Sequence, residues 1–179
     1  ARAIWEQGSA VLRMSQVREA NTATAQPYGQ MLASLPPGIW NRSWPRDAAY
    51  AAVALSRTGF VDMAKDVLSF IVEGTAEGYV PEVGGDYLVS VARYYGDGTE
   101  ESDGDPATVG PNIEFDNFGL FLWALADLAD GPDAPETDIA AWWPAASEQV
   151  ADVLLGLVEQ PVPLLRVADK VLTFRCKVE

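Results

Sequence analysis

The chain of 179 residues has the length of one domain, and its 49% hydrophobic content at a mean hydropathy of +0.01 supplies ample material for a core. Twelve Lys and Arg against 26 Asp and Glu give a formal net charge of −14, which repels phosphate-rich partners and argues against nucleic acid. Histidine is absent and Cys176 is the one cysteine, so Ser-His and Cys-His catalysis, His-ligated zinc, an internal disulfide and a multi-cysteine metal centre are excluded. Acid-base chemistry is left to carboxylates, and neither a metal nor a cofactor is expected.

From Arg2 to Glu19, the residues Ile4, Val11, Leu12, Met14 and Val17 recur among polar ones at loosely helical spacing and predict a first helix. The starting sequence Ala1-Arg2-Ala3 has neither an initiator Met nor the apolar run of a signal peptide and reads as a processed or trimmed start. Asn21 to Pro37, rich in Thr, Ala, Gln and Pro, predicts an irregular loop. Asp47 to Thr58 predicts an Ala-rich helix with Asp47 as N-cap and Gly59 as its stop. Val61 to Glu73 sets Val61, Ala64, Val67, Leu68 and Ile71 on one face and predicts an amphipathic partner joined by a tight turn. Residues 75–111 are punctuated by glycine and proline, and the β-prone run Tyr87 to Tyr95 predicts a strand or hairpin arm within a long loop. Ile113 to Leu128 is apolar on nearly every side and predicts a helix buried all round. A further helix runs from Thr137 or Asp138 to Leu157, with Pro144 either kinking it or marking its start. No run of about 18 apolar residues is present, so no membrane span is expected.

Three places could carry chemistry. Trp40-Asn41-Arg42-Ser43-Trp44-Pro45-Arg46-Asp47 gathers two indoles, two guanidinium groups and a carboxylate just before a helix. Indole rings stack on the apolar faces of sugars, and an Arg-Asp pair offers donors and acceptors to vicinal hydroxyls. The plainer alternative is a buried Trp with Asp47 capping the helix. The acidic stretch Glu100, Glu101, Asp103 and Asp105 fails the EF-hand frame at Ala107 and Thr108 and predicts a solvated loop. Glu114 and Asp116 stand between Ile113, Phe115 and Phe118, where burial raises a carboxyl pKa unless Arg46 or Arg93 offsets it; both are candidate catalytic acids. The competing reading is a helix N-terminus enriched in acids. Asn41-Arg42-Ser43 also matches the N-glycosylation triplet.

Tyr28-Gly29-Gln30-Met31-Leu32-Ala33-Ser34, then Trp44-Pro45-Arg46-Asp47-Ala48-Ala49-Tyr50, and finally Gly110-Pro111-Asn112-Ile113-Glu114-Phe115-Asp116-Asn117-Phe118-Gly119-Leu120 together resemble glycoside hydrolase family 15, the glucoamylase-like group, in its bacterial branch. The resemblance runs from about residue 8 to residue 158. It implies an all-α fold, the N-terminal five or so helices of a twelve-helix (α/α)6 barrel of the six-hairpin glycosidase type, alternating outer and inner. It implies that Arg46 and Asp47 hold the non-reducing-end glucose of an α-glucan or oligosaccharide, that Trp44 walls that subsite, and that Glu114 and Asp116 border it. The implied reaction is inverting hydrolysis of an α-glucosidic bond by two carboxyl groups.

The family's catalytic acid lies beyond its fifth helix and its base much later, so neither is assigned here. In place of an Asp-Ser-Ser-x-Trp-Glu-like segment, residues 159–179 form an atypical basic tail, which suggests a truncation or an altered reading frame after a catalytic part spanning 1–158. Five helices do not close such a ring, which predicts self-association, a partner completing the barrel, or marginal stability. A polysaccharide substrate and the absent initiator Met point to an extracytoplasmic or secreted protein. The alternatives are a non-catalytic carbohydrate-binding or interaction fragment, and another α/α toroid such as a terpenoid or lanthionine cyclase. The latter lacks its metal-binding residue sets here.

Overall fold

The computed structural model describes residues 2–34, 37, 40–101 and 113–158, and the backbone alone of 159, 163–167 and 170–173. The described chain is mostly helical, so the class is all-α. Helix α1 spans Arg2–Ser15, α2 Pro45–Arg57, α3 Val61–Glu73, the single turn α4 Val80–Val83, α5 Asp116–Ala129, α6 Glu136–Ala146 and α7 Asp152–Glu159. Two short strands, β1 Arg93–Tyr94 and β2 Glu100–Glu101, pair antiparallel with Arg93 opposite Glu101, and a second antiparallel hairpin joins β3 Pro163–Val167 to β4 Lys170–Thr173.

Helix α1 stops four residues short of the expected Glu19 because tertiary pairing takes over its backbone. Val17 N donates to Gln30 O at 2.9 Å, Gly29 N to Val17 O at 3.0 Å and Leu32 N to Ser15 O at 2.9 Å. These bonds tie the irregular strap of residues 16–34 along the helix end, and Gln16 Nε2 anchors it to Met63 O at 2.8 Å. Gly29 is required there: its φ is +87°, and a Cβ would sit 2.1 Å from Asp66 O.

Helix α2 begins two residues before the expected N-cap. Trp44 holds the N-cap position and Pro45 the first turn, where its missing N–H and fixed φ cost nothing. Asp47 is thus inside the first turn, where its charge suits the helix dipole, and caps nothing. The buried face of α2 is Ala48, Ala49, Ala51, Ala52, Val53 and Leu55, small enough for close approach by its neighbours. A turn at Gly59, with φ +86°, sends the chain back into α3, whose Ala64, Val67, Leu68 and Ile71 are buried as the spacing predicts, while Val61 is half-buried and Phe70 joins the buried face.

Helices α2 and α5 lie parallel and in step. Arg46 pairs with Asp116 at their N-terminal ends, the Tyr50 and Trp123 rings meet edge-to-face at 5.3 Å in the middle, and Arg57 pairs with Asp127 at 2.6 Å at their C-terminal ends. Phe118, Phe121, Ala124, Leu125 and Leu128 of α5 pack into the core, but Trp123 is 38% exposed. The helix expected to be buried all round therefore keeps one open edge. The last helical rod keeps Pro144 inside α6, and the turn immediately after it, Ser147–Ala151, widens to a π-helix before α7. Pro144 offers no N–H to the carbonyl four residues back, and the π turn follows within three residues.

The run Tyr87 to Tyr95 is buried almost throughout but forms a strand only at Arg93–Tyr94. Side chains occupy its backbone instead: Ser90 N donates to the Tyr94 hydroxyl at 2.8 Å, Val91 N to Glu100 Oε1 at 3.0 Å and Ala92 N to Ser90 Oγ at 3.0 Å. Such local acceptors compete with a ladder for the same donors.

Candidate functional site

The N-terminal ends of α2 and α5 bring together all five residues that the sequence singles out. Pro45 sets the first turn of α2, which places Trp44 just outside the helix and Arg46 and Asp47 on its rim. On the other side, Glu114 N donates to Val91 O at 2.6 Å and Asn117 Nδ2 to Ser90 O at 3.0 Å, fixing the start of α5 against the buried 87–92 segment. Arg46 then reaches across: Nε donates to Asp116 Oδ2 at 3.0 Å and Nη2 to Asp116 Oδ1 at 3.1 Å, a fork-on-fork pair. Hydrogen bonding to Asp116 raises the guanidinium pKa further, against an opposing effect of burial. The Asp116 side chain is half exposed, so this pair serves geometry more than stability.

Arg46 Nη2 also stands 3.3 Å from Glu114 Oε2, as an ion-pair contact without hydrogen-bond alignment, and that buried oxygen has no hydrogen-bond partner. Burial pushes the Glu114 carboxyl above its ordinary 4.5; Arg46 pulls it back, and Asp116 and Asp47 add to the rise. Both arginines named as possible partners of Glu114 pull its pKa down, Arg46 more than Arg93. Asp47 is exposed, and among the described residues its carboxylate makes no hydrogen bond or ion pair. Arg46 Nη1 is likewise without a hydrogen bond among the described residues. The rim thus carries an uncommitted donor beside an uncommitted acceptor.

Two indoles precede this group in the chain. Trp44 is nearly buried, its ring 5.6 Å from that of the exposed Trp40 and under the Arg93 guanidinium at 5.1 Å. Ser43 N donates to Tyr94 O at 3.2 Å and Tyr94 N to Ser43 O at 2.8 Å, stitching this segment to β1.

Behind it lies a group that the sequence reading misplaces. Glu101, expected in a solvated acidic loop, is 6% exposed and receives hydrogen bonds from both Arg42 and Arg93. Glu100 is half-buried and collects the Tyr87 hydroxyl at 2.5 Å, Ser90 Oγ at 2.7 Å, Gly78 N at 2.8 Å and Val91 N at 3.0 Å. Both carboxylates hold the β1–β2 hairpin to the core beneath Trp44; Asp103 and Asp105 lie outside the described residues. Asn41 of the glycosylation triplet is exposed and Ser43 is fully buried.

Among the described residues no cluster of three or more His, Cys, Asp or Glu is placed to hold a metal ion, and no helix is long and apolar enough to cross a membrane. Comparison of the chain with protein-family models, curated proteins and solved structures gives no match.

Proposed function

We propose that this chain carries the substrate-holding part of a glucoamylase-like glycoside hydrolase, part of an (α/α)6 barrel, that acts with inversion on α-glucosidic bonds of glucans or oligosaccharides. One observation carries the reading: Asp116 fixes Arg46 through Nε and Nη2, which leaves Nη1 and the neighbouring Asp47 carboxylate unspent, next in the chain to Trp44, whose ring meets that of the exposed Trp40. A fixed donor and acceptor side by side match two adjacent hydroxyls of a pyranose, and an indole matches its apolar face. The barrel part of the reading is supported by the parallel α2 and α5, whose N-terminal ends carry Arg46, Asp47 and Asp116 and which would be two of its inner helices.

Within this reading Glu114 is suited to the acid role. Burial favours its protonated form, the form that can protonate a departing glycosidic oxygen. Inversion also needs a second carboxylate to activate water. Asp116 does not suit it, because both its oxygens are committed to Arg46, and Asp47 is needed for substrate. This commitment favours, as a second reading, sugar binding without turnover by the described residues.

Proton NMR of the chain with maltose separates the two. Appearance of β-glucose, abolished by Glu114→Gln, is the outcome for a hydrolase. Unchanged maltose, with its signals broadened by binding that Asp47→Ala reduces, is the outcome for a binding site alone; maltose neither cleaved nor bound in an Asp47-dependent way would sink both.

A further inference from the structure

The contacts that run from Trp44 through Arg93 and Glu101 to Arg42 end at a second concavity, of about 460 Å³, between the strap of residues 16–34 and the β1–β2 hairpin. Gln30, Leu32, Asn41, Arg42, Tyr95 and Gly96 line it, and none of Arg46, Asp47, Glu114 and Asp116 does. We propose that this concavity is a binding site for a neutral, polyhydroxylated ring, a hexopyranose in chemical class.

Four observations carry the assignment. Gln30 is 2% exposed, and its amide Nε2 has no hydrogen-bond partner. A buried amide left in that state costs about 1–3 kcal/mol, so a group that lines a cavity and lacks a partner marks a place where a ligand or water oxygen belongs. Arg42 uses only Nη1 on Glu101, while Nε and Nη2 have no hydrogen bond among the described residues; its side chain is 26% exposed. Tyr95 lies under that guanidinium at 5.0 Å and is 40% exposed, a ring held in place with a face left over. Gly96 keeps the space open: a Cβ there would stand 3.7 Å from Gln30 Oε1, so any larger side chain would grow toward the unpartnered amide.

The ligand class follows from the lining. Amide and guanidinium donors beside an aromatic ring and the aliphatic Leu32 suit hydroxyl groups carried on a ring with an apolar face. An anion is disfavoured, because the Arg42 charge is already met by Glu101, Glu19 stands at the cleft and the chain carries a net charge of −14. The site uses residues separate from the Arg46–Asp47 rim and stands whether or not that rim binds sugar.

The test is a heteronuclear NMR titration of the full chain with glucose and maltose, following the Gln30 side-chain amide and the Tyr95 and Gly96 backbone signals. The expected result is a saturable shift at all three in the wild type and unchanged in Asp47→Ala. Gly96→Val, which fills the space at an ordinary contact distance without a strained φ, weakens it by about tenfold or more, about 1.4 kcal/mol. Tyr95→Ala weakens it in the same direction. Absence of the shift, its persistence in Gly96→Val, or its loss in Asp47→Ala each overturns the proposal. Shifts at Gln30 without any at Trp44 or Arg46 would support this site and sink the rim instead.

Discussion

Glu114 is the residue whose environment has the clearest measurable consequence. Its carboxyl pKa is raised in the folded chain, so the native state binds more protons than the unfolded state above pH 4.5, and stability falls as pH rises through the folded pKa. Below 4.5 both states are protonated and the cost is absent. Glu114→Gln removes the charge that burial opposes, while Arg46 keeps its pair with Asp116. The variant is therefore expected to melt higher than wild type at neutral pH and to converge with it in acid, as calorimetric scans between the two would show; a variant that melts lower at neutral pH would mean that the Arg46 contact outweighs burial. Trp44, Arg46, Asp47, Glu114 and Asp116 were legible as candidates because each residue type is unusual where it stands, an acid between aromatics or an Arg-Asp pair after an indole. Glu101 was not. Its neighbours read as a polar loop, and the two arginines that bury it stand 59 and 8 residues away, a juxtaposition that only the folded hairpin creates.

Among the elements, α3 was read correctly to the residue because a strict apolar face and a terminal Gly74 define it, whereas α1 and α2 shifted at ends where the tertiary context competes. The 87–95 run shows why a β-prone sequence need not become a strand: Tyr94, Glu100 and Ser90 supply acceptors to its N–H groups, and the backbone is satisfied without a neighbour. Two glycines separate conformational strain from steric overlap. At Gly59 a Cβ meets nothing within 4 Å, so Gly59→Ala costs only the left-handed backbone, about 1 kcal/mol. At Gly29 the same backbone strain adds to a Cβ placed on the Asp66 carbonyl, and Gly29→Ala is expected to cost about 3 kcal/mol or more. Urea denaturation of both variants checks the contrast; equal losses would mean that the strap is not seated against α3 as described.

At the scale of the whole molecule, apolar surface remains where no described element covers it. Ile4, Trp5, Val11 and Met14 of α1 are all more than half exposed, and Tyr50 and Trp123 form an aromatic edge along the open side of the parallel pair. Such surface favours association, while a net charge of −14 opposes it between copies of this chain. Sedimentation is accordingly expected to show association that grows with protein concentration and is stronger at high salt, where repulsion is screened; a monodisperse monomer under all conditions would contradict it. The all-α class was legible from helical periodicity. The parallel, in-step placement of α2 and α5 was not, because it rests on three cross-helix pairs separated by about seventy residues.

The account turns on whether the rim formed by Arg46 and Asp47 holds a sugar. Isothermal calorimetry with maltose, isomaltose and acarbose, on the wild type, Asp47→Ala and Gly96→Val, measures this directly. The predicted result is a binding event lost in Asp47→Ala and kept in Gly96→Val, with the melting temperature of Asp47→Ala lowered only slightly, by loss of its charge from the first turn of α2, because its exposed carboxylate supports no other described side chain. Heats that are the same for wild type and Asp47→Ala, or no heat with any of the three sugars, would contradict the assignment of this rim to carbohydrate.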